Sequence, residues 1–235
     1  MSVREGRLSV GIVGAGRVGP VLALALAGAG HMLTAVSTIS EESRERAETL
    51  LPGVPVLDVP DVVRCSELVV FAIHADELPG LVHGLTQTGA WQPGQIALHT
   101  APELGYGVFS PALASGVIPI AFHPAMTFTG TSLDLARLSG ASVAVSAPTP
   151  VLPIGQALAV EMGAEPVVIA EHDRAAYAET IAAATEFSRA VVRQAVDGLR
   201  ALGIDRPDRV LGGLVRSATE EELRAAAGLA PDTDA

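Results

Sequence analysis

Residues 7–19 read RLSVGIVGAGRVG, and the apolar stretch PVLALALAGA continues to residue 29. An apolar run that closes on glycine, Arg7 to Gly14, has the pattern of a buried strand. A helix follows from about Val18 to Ala29. Between them Gly14, Gly16 and Gly19 form G-x-G-x-x-G. Alone this spacing is a weak signal. Leaving a strand and opening a helix near the N-terminus, it has the context of a dinucleotide-binding turn. Gly14 then permits the tight turn, Gly16 a close approach of backbone to pyrophosphate, and Gly19 close packing of helix on strand. Ala15, Arg17 and Val18 complete the cofactor-binding loop, and the free N–H groups of the helix N-terminus suit phosphate.

Outward from this turn the chain alternates. MLTAVS (32–37) reads as a second strand and SEESRERAETL (40–50) as a charged helix. VPVLDV (54–59) is a weaker third strand. Leu68 to Ile73 is a strong fourth, GQIALHTA (94–101) a fifth and VIPIAFHP (117–124) a sixth. ASVAVSA (141–147) and PVVIA (166–170) supply two more. Apolar strands alternating with helices predict an α/β fold, a doubly wound, mainly parallel sheet of Rossmann type. From residue 171 the strand signal stops. Ile181, Ala184, Phe187, Val191, Ala195, Leu199 and Leu202 step by three and four, which predicts one long amphipathic helix over about 171–203. Two shorter helices are expected near Pro207–Ser217 and Glu220–Gly228, and the tail APDTDA reads as disordered. The expected division is a dinucleotide-binding domain, 1–170, and a small all-α domain, 171–235. A helix of about 30 residues is roughly 45 Å long, which points to a second copy packing along it as a homodimer.

Composition narrows the function. The net charge of −11 argues against nucleic acid, whose phosphates need a cationic footprint. One cysteine, Cys65, leaves no intrachain disulfide and suits a reducing cytoplasm. No signal-peptide core or membrane span is evident, since the apolar run from Val21 to Ala35 reads as helix plus strand. All 15 basic residues are arginine. Schiff-base and pyridoxal chemistry, and dehydrogenases that need a catalytic lysine, are therefore excluded. No G-x-S-x-G nucleophile turn is present.

An NAD enzyme usually ends its second strand on Asp or Glu, which binds the ribose diol. Here Ser37, Thr38 and Ser40 stand there, with Arg44 a helical turn on. That favours NADP over NAD, although Glu41 and Glu42 lie close by and Ser40 also suits a helix cap. Ligands of open α/β sheets sit beyond the carboxyl ends of the strands. Three predicted strands end on histidine there: Ile73-His74, His99-Thr100 and His123. Ile73, His74 and His99 are assigned to the cofactor, His123 with Thr127 and Thr100 to catalysis on a small-molecule substrate. A structural role for His123 weighs equally, because an ordinary pKa near 6.5 suits acid–base work without proving it. Adjacent strands lie about 4.8 Å apart, so the three histidines are poorly spaced for one metal ion, and no metal ligand is assigned.

Five stretches, GIVGAGRVGPVLALALAGAGH (11–31), PGQIALHTA (93–101), HPAMTFTGTSLDLARLSGASVAVSAP (123–148), EMGAEPVVIAEHDRAAYA (161–178) and VLGGLV (210–215), together resemble a bacterial Rossmann-like family of predicted oxidoreductases. That family carries a C-terminal helical domain of unknown function. It is distantly similar to prephenate dehydrogenase, pyrroline-carboxylate reductase and 6-phosphogluconate dehydrogenase-like proteins. The resemblance implies NADP at Gly14, Gly16 and Gly19, a cleft holding His123 and Thr127, and a helical dimer. Two features depart from the family: the helical part is short, and Glu186 stands where relatives tend to carry an amide. The expectation is an NADP-dependent oxidoreductase moving a hydride to or from a small carbonyl, imine or hydroxy substrate. The alternatives are a non-catalytic dinucleotide-binding regulator and a metal-assisted enzyme using the strand-end histidines.

Overall fold

In the computed structural model, which describes residues 7–228, the apolar runs pair into one seven-stranded sheet. Its strands are β1 (Ser9–Val13), β2 (Met32–Ser37), β3 (Leu68–Phe71), β4 (Ile96–His99), β5 (Ile118–Pro124), β6 (Ser142–Ser146) and β7 (Glu165–Val168). They lie in the order β2-β1-β3-β4-β5-β6-β7. β3 and β4 are buried at every position, as strands covered on both faces must be. Two clusters of buried side chains form the core. One gathers Ile12, Leu22, Val70, Ile120 and Phe122, the other Val13, Val69, Phe71, Trp91 and Phe109.

Six helices connect the strands: α1 (Gly19–Gly28), α2 (Glu41–Leu50), α3 (Val59–Arg64), α4 (Leu78–Gln87), α5 (Leu133–Leu138) and α6 (Leu152–Glu161). A 3-10 segment, Tyr106–Ser115, links β4 to β5. Because β2 lies on one side of β1 and β3 on the other, the chain reverses its winding between β1 and β3. The crevice at such a switch point is where open sheets bind ligands.

Two expectations change, the strand over 54–59 and the pair of helices after residue 207, while the mainly parallel sheet holds with one antiparallel pair. The strand expected over 54–59 reduces to a single bridge, Val56 to Val36. Pro55 has no N–H to offer a ladder, and Asp58 already stands at the N-cap position of α3, its carbonyl accepting the Asp61 and Val62 N–H groups. The sheet is parallel except that β6 runs antiparallel to β5. The only helix between them, α5, is about 9 Å long, against roughly 23 Å for β5. β6 enters from the end at which β5 leaves, so the connection makes no crossover. The two short helices expected after residue 207 are one helix, α8 (Pro207–Ala226), preceded by α7 (Arg174–Ala201). Neither Gly nor Pro stands between Ser217 and Glu220 to break it.

The chain divides into two compact units, one up to Glu179 and one from Thr180 on, so α7 begins in the first and continues in the second. The tail APDTDA lies outside the described residues. Among the described residues no helix is long and apolar enough to cross a membrane.

Candidate dinucleotide site and adjoining histidine cavity

The glycine turn is fixed by three contacts. Gly14 has φ +99°, and a Cβ there would lie 2.5 Å from the carbonyl oxygen of Ala72, at the end of β3. Only glycine combines this conformation with so close a neighbour. The Gly14 N–H donates to the Ser37 carbonyl at 3.3 Å, tying the turn to the end of β2. A Cβ on Gly19 would overlap the Gly14 carbonyl oxygen, so α1 starts hard against the turn. Gly16 differs: a Cβ there would meet no atom within 4 Å. The fold needs glycine at 14 and 19 but makes no demand at 16, where a side chain would fill the open cradle in front of α1.

The turn separates two cavities. Gly14, Ala15 and Gly16 line the first, about 460 Å³, together with Ser37 to Ser40 from the end of β2 and Ile73, His74 and Glu77 beyond β3. The Oγ1 of Thr38 is buried in its wall with no hydrogen-bond partner. Arg17 and Val18 line the second, about 320 Å³, with Thr100, Pro102, His123, Pro124, Met126 and Phe128. Consecutive residues of one turn thus face both cavities, with the N-terminus of α1 beside them. A dinucleotide laid across that N-terminus fits this arrangement, which offers a phosphate cradle, a pocket on the β2 side and a second pocket under the β5 loop.

The loop after β5 roofs the turn. Asp134 is fully buried and accepts the N–H groups of Thr129 at 2.7 Å and Gly130 at 2.8 Å, and the Thr129 hydroxyl at 2.9 Å. Burial pushes its carboxyl up, but these bonds outweigh it and hold the pKa below the usual value. Gly130, at φ +78°, sits where a Cβ would come within 3.2 Å of Arg17 Cα and 3.1 Å of Arg46 Nε. Arg46 donates to the Ala15 carbonyl at 3.3 Å and pairs with Glu42 at 2.6 Å.

The second cavity is braced by the segment where the strand signal ends. Glu171 accepts the N–H of Tyr106 at 2.9 Å and of Gly107 at 2.8 Å. Arg174, 1% exposed, donates from Nε to the Leu104 carbonyl at 3.0 Å and from Nη1 to the Ala144 carbonyl at 3.4 Å, while its Nη2 has no partner. Tyr177 lies under this guanidinium, 5.9 Å from its ring centre, and its hydroxyl is 2.9 Å from His123 Nδ1. Burial, and then the charge of Arg174, lower the pKa of His123 to about 4.

The family follows from the chain itself. Residues 1–124 match the Rossmann-like domain, and residues 141–229 match a domain of unknown function, DUF2520. The chain belongs to the Rossmann-like domain family. No curated protein matches it. Three solved structures share its fold. A Bacteroides fragilis protein assigned as an NADP oxidoreductase has a TM-score of 0.73 at 19% identity, over 91% of this chain and 80% of that one. An imine reductase from a Pseudomonas species gives 0.69 at 16%, over 95% and 77%. Plasmodium falciparum pyrroline carboxylate reductase, solved with NADP bound, gives 0.64 at 12%, over 97% and 80%.

Within this Rossmann-like chain the residues singled out from sequence fall into groups. Gly14, Ala15, Gly16, Ser37, Thr38, Ser40, Ile73 and His74 line the first cavity, and Arg17, Val18, Thr100 and His123 the second. Ser40 is also the N-cap of α2, accepting the Ser43 N–H at 3.2 Å. Arg44 is exposed on α2 and lines neither cavity, and Thr127 is exposed on the roof loop away from the lining. His99 is placed differently from its assignment. It is fully buried, with Nε2–H donating to the Gly105 carbonyl at 3.1 Å and Nδ1 unpartnered, and it packs on Phe109. Its pKa falls to about 4 because burial, aided by the Arg174 charge, outweighs the Gly105 bond. It supports the loop rather than touching either cavity. The three strand-end histidines are therefore not brought together, and among the described residues no cluster of three or more His, Cys, Asp or Glu could hold a metal ion. Glu186 is exposed on α7 in the second unit. Glu171, Arg174, Tyr177, Asp134 and Arg46 were not anticipated. The only trace of the first three in the sequence is their spacing of three, in EHDRAAYA.

Proposed function

We propose that this protein is an NADP-dependent oxidoreductase acting on a small carbonyl, imine or hydroxy compound. The observation that carries the reading is the open cradle at Gly16, between two glycines that the fold itself requires and between two cavities of suitable size. Structural neighbours named as NADP oxidoreductase, imine reductase and NADP-bound pyrroline carboxylate reductase support it as analogies of fold. When bound, the dinucleotide supplies a hydride donor or acceptor. The chain's own part is to seat the phosphates at the N-terminus of α1 and to present His123 and Thr100 to the reacting atom from the second cavity.

The choice of NADP rests on the end of β2. No carboxylate stands there to take a ribose diol. Ser37 and the unpartnered Thr38 hydroxyl line the first cavity, and the charge of Glu42 is offset by Arg46. A homodimer through α7 and α8 belongs to the same reading. Phe187 with Val191, and Val210 with Leu214, stand exposed four residues apart on these helices, apolar surface that water disfavours. The test is NADPH oxidation with a panel of small ketones, aldehydes and cyclic imines, for the wild type and for His123→Ala. Turnover that His123→Ala abolishes, with NADPH affinity within a few-fold, is expected. Tight NADPH binding without turnover of any compound would favour a dinucleotide-binding regulator.

A further inference from the structure

Resting on the oxidoreductase reading, we propose that His123 serves as a fixed, neutral hydrogen-bond donor through Nε2–H, held in that tautomer by Tyr177, and that the reacting group is a carbonyl or hydroxyl oxygen rather than an iminium nitrogen. A neutral imidazole has one N–H and one bare nitrogen, and the bond made by one nitrogen decides what the other presents. His123 Nδ1 and the Tyr177 hydroxyl are 2.9 Å apart, with the rings edge to face. Of the two directions this bond can take, phenol to imidazole is favoured, since the phenol is the stronger acid and the bare imidazole nitrogen the stronger base. Nδ1 therefore accepts, and the proton sits on Nε2. That nitrogen has no partner among the described residues, is not sealed from solvent, and belongs to a ring lining the second cavity.

The surroundings keep the ring neutral. The charged or titratable groups facing it are Arg174 and Tyr177 from α7 and Arg17 from the glycine turn across the same cavity. Burial raises the pKa of Tyr177 despite the nearby guanidinium, so its proton stays on the phenol. Protonating His123 would need a proton on Nδ1, displacing the Tyr177 donor beside a buried guanidinium. A neutral N–H donor suits a lone pair on oxygen, whereas an iminium has no lone pair to offer and would bring a further positive charge towards Arg174 and Arg17. Tyr177 is a positioning residue, and His123 is the group that touches substrate. His99 carries the same tautomer with the contacts exchanged: its Nε2–H is used by the Gly105 carbonyl and its Nδ1 is left bare and buried.

The test is a long-range proton–nitrogen NMR spectrum of uniformly 15N-labelled, ligand-free protein. The His123 signals are identified by their loss in His123→Asn. Between pH 6 and 8 the expected result is a protonated Nε2 and a bare Nδ1. In Tyr177→Phe, which keeps the ring and removes one oxygen, the titration midpoint of His123 should move up from about 4, and its nitrogen shifts should move towards the averaged values of mixed tautomers. A protonated Nδ1 in the wild type, or an unmoved midpoint and tautomer in a folded Tyr177→Phe, would overturn the proposal. The wild-type spectrum decides even if the variant does not fold. None of these signals depends on NADPH binding, which tests the underlying reading separately.

Discussion

Glu171 holds the backbone of Tyr106 from 65 positions further along the chain, its Oε2 accepting the Tyr106 N–H at 2.9 Å while Oε1 takes that of Gly107. Two free amides at the start of the 3-10 segment are satisfied by one carboxylate. Together with Arg174 on the Leu104 carbonyl and His99 on the Gly105 carbonyl, it fixes the loop that carries Thr100 and Pro102 into the second cavity. Glu171→Ala should therefore lower stability by about 1–3 kcal/mol, the usual consequence of stranding amides that lose a charged acceptor. Urea denaturation measures this. A change within experimental error would mean that water replaces the carboxylate at no cost.

The two glycines at 16 and 19 should respond in opposite ways to alanine. Gly19→Ala drives a methyl into the Gly14 carbonyl and should markedly lower the melting temperature or prevent folding. Gly16→Ala meets no atom within 4 Å and should melt within a few degrees of the wild type. Calorimetry of the two proteins side by side provides the comparison.

Acid should destabilise the protein from about pH 6.5 downwards. His99 has a folded pKa of about 4 against an ordinary 6.5. Between those values the unfolded chain binds a proton that the folded chain refuses. Stability therefore rises with pH across this window and is lost as pH falls from about 6.5 towards 4. For this fully buried side chain the loss is on the order of 3 kcal/mol, and His123 adds to it in the same direction. His99→Gln should flatten the dependence of unfolding free energy on pH between 4.5 and 6.5. A slope equal to that of the wild type would mean that His99 titrates normally.

Phe187 is 72% exposed and Val191 63%, one helical turn apart. If a second copy covers them, Phe187→Glu should convert a dimer to a monomer in sedimentation equilibrium and leave the first unit folded. A wild-type monomer at micromolar concentration would remove the dimer from the account.

The glycine turn was legible in the sequence because its chemistry is local: strand, three glycines and helix are contiguous, and Gly14 and Gly19 each answer to a neighbour within a few residues or on an adjacent strand end. The end of β5 was legible because an apolar run stopped at His123-Pro124. The fate of His99 was not. It ends its strand as His123 does, but in register it lies opposite Ala121, two residues short of His123, and the following 3-10 segment covers it. Glu171, Arg174 and Tyr177 were hidden for a different reason. Their partners are backbone groups at Leu104, Tyr106 and Ala144 and one ring at His123, and a carbonyl or amide that will receive a distant side chain looks like any other in sequence. The antiparallel entry of β6 depends on the path of the connection after β5, which no residue in the strands reports.

The most direct test of the account is a fluorescence titration of the purified protein with NADPH and, separately, with NADH, repeated on Gly16→Val. On this account, tight NADPH binding, clearly weaker NADH binding, and loss of both in a folded Gly16→Val protein are expected, because the valine enters the open cradle, where its Cβ meets no atom within 4 Å. Binding of neither cofactor by the wild type, or unchanged NADPH affinity in Gly16→Val, would contradict it.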